Sequence, residues 1–317
     1  MMWLVLKKLG ALLIALLVAS LLVFFVLEIV PGDQARYLLG QDATPDAVAA
    51  LRLELGLDRS LPERYLGWLG PLLVGQFGSS LALGAPIGTL IAGRLAVTIP
   101  LLLMAAALAL LVGTAAGALA VCHRGTFVDR TLAGLMTLGR VLPPFWLGML
   151  LVLSFALTLR WLPPGGFIPW LGNPVGALRS LVLPVLALAL PHAAMVATIV
   201  RANLIAARQL PYVQAARARG LTMSEAVLQH GLRNILAPII GALGRQFNQL
   251  VASAMLVETV FYLPGLGRLL LDAVIMRDLP VVRGTLLVLI AIMALSVFAT
   301  DLIRTLADPR QRPALSA

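Results

Sequence analysis

The amino-acid sequence predicts an all-α, polytopic membrane protein with six transmembrane helices, and two observations carry that prediction. Hydrophobic residues make up 60% of the 317-residue chain and charged residues only 12%, giving a mean hydropathy of +0.98, far outside the range of soluble domains. The apolar residues are also gathered into runs close to the roughly 20 residues a helix needs to cross the hydrocarbon core. Five uncharged runs occur at Leu9–Leu27, Leu95–Cys122, Val141–Leu159, Ser180–Val200 and Gly284–Thr300. A sixth, Ile235–Val257, is interrupted only by Arg245.

The first run follows Lys7 and Lys8 and contains small residues at Ala19 and Ser20, as a signal peptide would. Its apolar core continues to Leu27, longer than the roughly 7 to 15 residues of a signal peptide's apolar region, so it reads as a retained first helix. The second span holds "GTAAG", Gly113 to Gly117, whose small residues let helix backbones approach closely. Pro184 and Pro191 are expected to kink the fourth span, and His192 next to the second either lines a transport path or bonds to a neighbouring helix. In the fifth span Arg245, Asn248 and Gln249 share one helical face, which either lines a polar pathway or bonds to a partner helix.

Net charge is +10, and its distribution is a topology signal rather than a nucleic-acid footprint. With the N-terminus inside, cytoplasmic segments hold 13 of the 24 cations against the carboxylates of Asp129, Glu225, Asp301 and Asp308 alone. The opposite side is near neutral, so both termini are expected in the cytoplasm. The outside segment of residues 31–94 is too long for a turn. Thr44 caps a helix that begins at Pro45 and stops at Gly56, and Ser60 with Pro62 begins another, which makes a small extracytoplasmic helical lobe. Tyr65 and Trp68 are candidate docking residues, but they are expected instead to anchor that lobe at the bilayer interface.

The most polar insert is the cytoplasmic segment 201–234. Leu210 to Arg219 favours a helix that stops at Gly220; Thr222 and Glu225 then form a T-x-x-E capping box for a second helix running to about Arg233. Ala215, Ala216 and Gly220 leave a bare surface at this elbow, with Arg217 and Arg219 beside it. A solvated loop obeying the charge rule would explain the arginines; it would not explain paired caps and small residues, which suit a close fit with another protein.

Several chemistries lack their residues. A phosphate-binding loop needs a lysine after a glycine, and the only lysines are Lys7 and Lys8, which no glycine precedes. There is no H-E-x-x-H, the three histidines His123, His192 and His230 lie far apart, and no G-x-S-x-G elbow occurs. The single Cys122 excludes an intramolecular disulfide.

"YVQAARARGL" followed by "QHGLRNILAPII" resembles the cytoplasmic loop of ATP-binding-cassette importer permeases, whose pattern is E-A-A, three residues, then Gly. Gln214 stands where the general pattern has Glu, a departure found in the peptide-import branch. "VPGDQARYLLG", "LRLELGLDRSLPERYLGWL", "GQFGSSL", "VETVFYLPGLGRLLLDAVIMRDLPVVRG" and "DPRQR" resemble the B-type membrane subunit of dipeptide, oligopeptide and nickel importers, in the same order along nearly the whole chain.

The resemblance implies a type I importer permease in a bacterial inner membrane. Residues 1–30 would form the first segment and span, 31–94 the lobe, 95–306 the permease core and 307–317 a cytoplasmic tail. Ala215, Ala216 and Gly220 would meet an ATPase groove, Arg217, Arg219 and Glu225 would surround them, and Arg233 and Asn234 would join the loop to the fifth span. The implied partners are a second, C-type permease subunit, one or two cytoplasmic ATPase subunits, a periplasmic or lipid-anchored substrate-binding protein and the lipid bilayer, with no nucleic acid. ATP and Mg would sit on the ATPases, so this non-catalytic chain carries no cofactor and no metal. The binding protein is expected to meet the lobe and "PGLGRLLLDAVIMRDLP". Peptides are the expected cargo, with nickel, glutathione or sugars as alternatives on similar machinery. A secondary transporter is the competing class, but it needs ion-coupling residues and often a repeat, and only Arg245 is charged near a span centre.

Overall fold

A computed structural model describes the backbone of residues 2–29, 34–40 and 42–307; within these, the side chains of residues 2–4, 34, 37–38, 230–238, 240, 242–243 and 306–307 are not described. The elements in order are α1 (Met2–Ile29), α2 (Gln34–Leu39), α3 (Pro45–Glu54), α4 (Leu61–Leu73), α5 (Ile87–Cys122), α6 (Phe127–Val141) and α7 (Pro144–Leu151), which continues as a π-turn, Val152–Thr158. Then come α8 (Pro174–Ala207), α9 (Pro211–Ala218), α10 (Met223–Ala226) with a π-turn at Val227–Gly231, α11 (Leu232–Val260), α12 (Leu266–Ile275) and α13 (Leu279–Ala307). Among the described residues there is no strand, only an isolated bridge between Ser79 and Pro86.

Four helices are long and apolar enough to cross a membrane: Val5–Ile29, Ile87–Cys122, Pro174–Ala207 and Leu279–Thr305. A fifth appears if α6 and the α7 unit, bent by 105° at their junction, count as one span. That bend corrects the expected run Val141–Leu159. A residue before proline avoids the helical region, so Leu142 and Pro143, with ψ of 120° and 135°, break the chain ahead of Pro144. The second arm of the bent pair therefore starts at Pro144, and Val141 belongs to the amphipathic α6. Helix α11 has 29 residues but is not among the candidate spans, because Arg245, Gln246, Asn248 and Gln249 lower its hydropathy. The second span also differs from expectation at its start: α5 begins at Ile87, so residues 87–94 belong to the helix and not to the lobe.

Helix α8 is the hub. It runs unbroken over 34 residues through both Pro184 and Pro191, and one side lies along α5. Gly113 and Gly117 make that contact: a Cβ on Gly113 would stand 2.7 Å from the Ala193 carbonyl oxygen and Val196 Cβ, and one on Gly117 2.7 Å from the Ala197 carbonyl oxygen. The small-residue pattern is thus a close helix crossing. Asp129 of α6 takes a two-nitrogen hold from Arg201 of α8 at 2.9 and 3.1 Å and a third bond from the Gly125 N–H, which fixes α6 across the end of the hub.

In the lobe, α3 starts at Pro45 with Thr44 Oγ1 accepting from the Ala47 N–H, and Ser60 and Glu63 form a capping box at the start of α4. Tyr65 is not a bilayer anchor. It is buried against α1, where its hydroxyl lies 2.8 Å from Ser20 Oγ and its ring stands edge-on to Phe24 at 5.4 Å. Trp68 stacks on the same ring at 6.0 Å. Glu28 of α1 then binds both Arg64 of α4, at 2.8 Å, and Arg283 of α13. These contacts fasten the lobe to two long helices, a role that sequence spacing alone does not reveal.

Candidate functional site

The segment after α8 folds as the sequence requires. Pro211 opens α9, and Gly220 ends it at φ +97°, a conformation other residues rarely adopt. The Gly220 N–H bonds the Arg217 carbonyl at 2.9 Å and the Leu221 N–H reaches the Ala216 carbonyl at 3.4 Å, the paired bonds of a Schellman stop. Two residues on, the Thr222 N–H donates to Glu225 Oε2 at 2.8 Å while the Glu225 N–H donates to Thr222 Oγ1 at 3.3 Å. The Thr222 hydroxyl and then its backbone N–H hold the Glu225 carboxyl below the usual carboxylate range.

The second helix of the elbow is shorter than expected as a separate unit. Met223–Ala226 gives way to the π-turn at Val227–Gly231 and then directly to α11, so the elbow's second arm is the root of the long helix α11. Arg233 and Asn234 lie in the first turn of α11, and their side chains fall outside the described residues.

One face of α9 is turned inward. Val213 and Ala216 are buried with Ala226 and Val227 against Val121, Val196, Val200 and Leu204 at the ends of α5 and α8. This corrects the reading of Ala216 as a surface position: with 4% exposure it holds the loop to the body of the protein. The opposite face carries Pro211, Gln214, Ala215 and Ala218, all exposed, with Arg217, Arg219 and Gly220 exposed beside it. Ala218, which sequence reasoning passed over, takes the outward place assigned to Ala216; the buried Val213 three residues before Ala216 was the signal for the face. Gln214 Nε2 donates to the Arg208 carbonyl at 2.7 Å, closing the turn out of α8. A glutamate could not donate that bond, which gives a physical reason for the departure from the E-A-A pattern.

An open cavity of about 400 Å³, mostly apolar in lining, lies where the α6–α7 joint meets α8 and α11. Its polar lining is Arg140, His192, Gln246, Gln249 and Ser253. The His192 Nδ1 donates to the Leu188 carbonyl at 2.7 Å, so the ring is turned within its own helix rather than bonded to a neighbour. Of the four residues expected along a path, His192 and Gln249 meet here; Asn248 instead accepts from Ser296 Oγ of α13 at 2.8 Å, and Arg245 is exposed away from the cavity. The lining face of α11 is Gln246, Gln249 and Ser253, one position round from the face chosen on sequence. Among the described residues no cluster of His, Cys, Asp or Glu could hold a metal ion.

Comparison with known proteins agrees with this architecture. Residues 109–313 match the family model "Binding-protein-dependent transport system inner membrane component", and residues 1–106 match the N-terminal model of such a component. A Brucella abortus (strain 2308) protein bearing the name peptide transport system permease protein is 37% identical over 309 residues, covering 98% of each chain. The glutathione transport system permease protein GsiC of Escherichia coli (strain K12) is 36% identical over 283 residues, covering 89% of this chain and 90% of the relative. Among solved structures, an inward-facing form of the MetNI methionine ABC transporter superposes with a TM-score of 0.55 at 19% identity, covering 69% of this chain and 96% of the other, a likeness of fold. The chain belongs to the inner membrane component family of binding-protein-dependent transport systems and is an ABC importer permease of the type I fold.

Proposed function

We propose that this permease forms half of the translocation pore of a peptide importer driven by separate ATPase subunits, and that the elbow at residues 212–234 is the part they push. The observation that carries the coupling role is the two-faced α9: one side is rooted on α5, α8 and α11, and the other presents the small Pro211, Ala215 and Ala218, with the Gln214 side chain drawn back onto the Arg208 carbonyl. A helix rooted on three long helices turns a push from outside into movement of those helices, which is the rocking that alternating access requires. The chain contributes no catalytic group; hydrolysis belongs to the partners.

In the proposed orientation both termini face the cytoplasm and the six spans are α1, α5, the α7 unit, α8, α11 and α13. The polar lining of His192, Gln246 and Gln249 then faces a shared path completed by a second, C-type subunit, and a periplasmic or lipid-anchored binding protein delivers cargo to the lobe side. Peptide cargo follows from the names of the Brucella relatives. A specific second reading is glutathione, itself a tripeptide, from the Escherichia coli relative. The test is ligand identification on the cognate binding protein, followed by ATP-dependent uptake in proteoliposomes carrying both permeases and the ATPases. Uptake of short peptides supports the proposal; uptake by this chain alone without ATPase, or a cargo with no peptide bond, contradicts it.

A further inference from the structure

Glu258 is a carboxylate that the proposed path does not use, yet none of its surface is exposed. It lies near the end of α11, and Thr98 Oγ1 of α5 donates to its Oε1 at 2.6 Å. The backbone N–H groups of Gly267 and Arg268 donate to its Oε2 at 2.7 and 3.4 Å, and the Leu266 N–H donates to Thr98 Oγ1 at 2.9 Å. The first three N–H groups of α12, which a helix leaves without partners of its own, therefore end on two side chains from two long helices. None of the described ion pairs includes this carboxylate; its hydrogen-bond partners are the Thr98 hydroxyl and the aligned N–H groups at the start of α12, while Arg94 acts on it through space.

The neighbouring glycines are cut to this arrangement. A Cβ on Gly265 would collide with the Glu258 carboxyl group, and one on Gly267 with the Met255 backbone, so "PGLGR" is the sequence that lets α12 lie directly on α11. The far end of α12 is fixed as well. After Arg277 at φ +53°, the buried Asp278 accepts from Ser80 Oγ at 2.5 Å, from the Ala82 N–H at 3.1 Å and from the Val281 N–H at 3.4 Å.

We propose that Glu258, held by Thr98, is a positioning residue for transport: it clamps α12 to the α5–α11 pair so that this connecting helix moves as one body with both spans. The transport half of this inference rests on the permease reading above; the clamp itself is read separately, as a distance. The test uses the full complex with its ATPases and binding protein, in proteoliposomes, with Cys122→Ser and spin labels at Leu103→Cys on α5 and Ile275→Cys on α12, both exposed positions. The labelled but otherwise native complex is expected to show one narrow distance, the same with and without trapped ATP. Glu258→Ala and Thr98→Val are expected to broaden it and to lower uptake about tenfold, the size of a typical coupling energy, with basal ATP hydrolysis unchanged. Thr98→Ser, which keeps the hydroxyl, restores both readings. A distance that stays narrow in both broken-clamp variants, or one that shifts with ATP in the native complex, overturns the clamp. If Glu258→Ala fails to assemble, Thr98→Val and Glu258→Gln carry the same comparison. If the native complex takes up no peptide, the permease reading fails and the distances alone decide the clamp.

Discussion

At the scale of single residues, the elbow rests on a few atoms whose removal has distinct effects. Gly220 has open space around it, so its requirement is conformational: at φ +97° a β-branched side chain costs about 1–2 kcal/mol or more. Gly220→Val is therefore expected to lower ATP-driven uptake about tenfold while membrane insertion, followed by expression level and detergent extraction, is unchanged. Glu225 gives a pH test. Its carboxyl is held below its ordinary value, so the cap is complete above about pH 4.3 and is lost as pH falls through the lower folded value. A spin label at Ala218→Cys is expected to gain mobility as pH falls through that lower range, and Glu225→Gln is expected to flatten the response. Gly220, Thr222 and Glu225 were legible in the sequence because caps and stops are local chemistry. The inward turn of Ala216 was not, because alanine fits equally well in a core or on a surface and only the neighbouring Val213 distinguishes them.

At the scale of elements, the long apolar helices were legible and their ends were not. Apolar runs mark where a helix is insoluble in water, whereas α5 continues outward to Ile87 past Arg94 because backbone hydrogen bonding does not stop at the hydrocarbon edge. The bend at Leu142–Pro144 was written in a Pro-Pro pair inside an apolar run, and composition alone concealed it. "GTAAG" was read correctly as a packing surface. Gly113→Leu is expected to overpack the α5–α8 crossing and destabilise the protein by about 1–3 kcal/mol, seen as a lower Tm of the detergent-solubilised complex. The lobe's attachment was invisible in the sequence, since Tyr65, Ser20, Phe24 and Glu28 meet only after α4 folds back on α1.

At the scale of the whole molecule, the fold places an elbow at one end of α5, α8 and α11, a cavity with a few polar side chains between α8 and α11, and the Glu258 contacts beyond it on α11. Helices α8 and α11, on which α9 packs, also line the cavity, which is the route the proposed coupling would take. Gln246→Leu, which removes a buried amide from that lining, is expected to reduce uptake about tenfold with binding-protein affinity unchanged, measured as the split between maximal rate and half-saturating concentration. Sequence reasoning found the polar run of α11 and left its face either on a pathway or bonded to a partner helix; Gln249 lines the cavity and Asn248 bonds Ser296 of α13, a division that depends on neighbours one chain segment does not reveal. The central claim, that the outward face of α9 is where ATPase motion enters the permease, has one direct measurement. In a Cys122→Ser background, Ala218→Cys and Ala216→Cys are each exposed to a short bifunctional cross-linker in the assembled complex. The account predicts that the Ala218 position cross-links to an ATPase subunit and the Ala216 position does not; cross-linking at Ala216 instead, or at neither position in an ATP-hydrolysing complex, would contradict it.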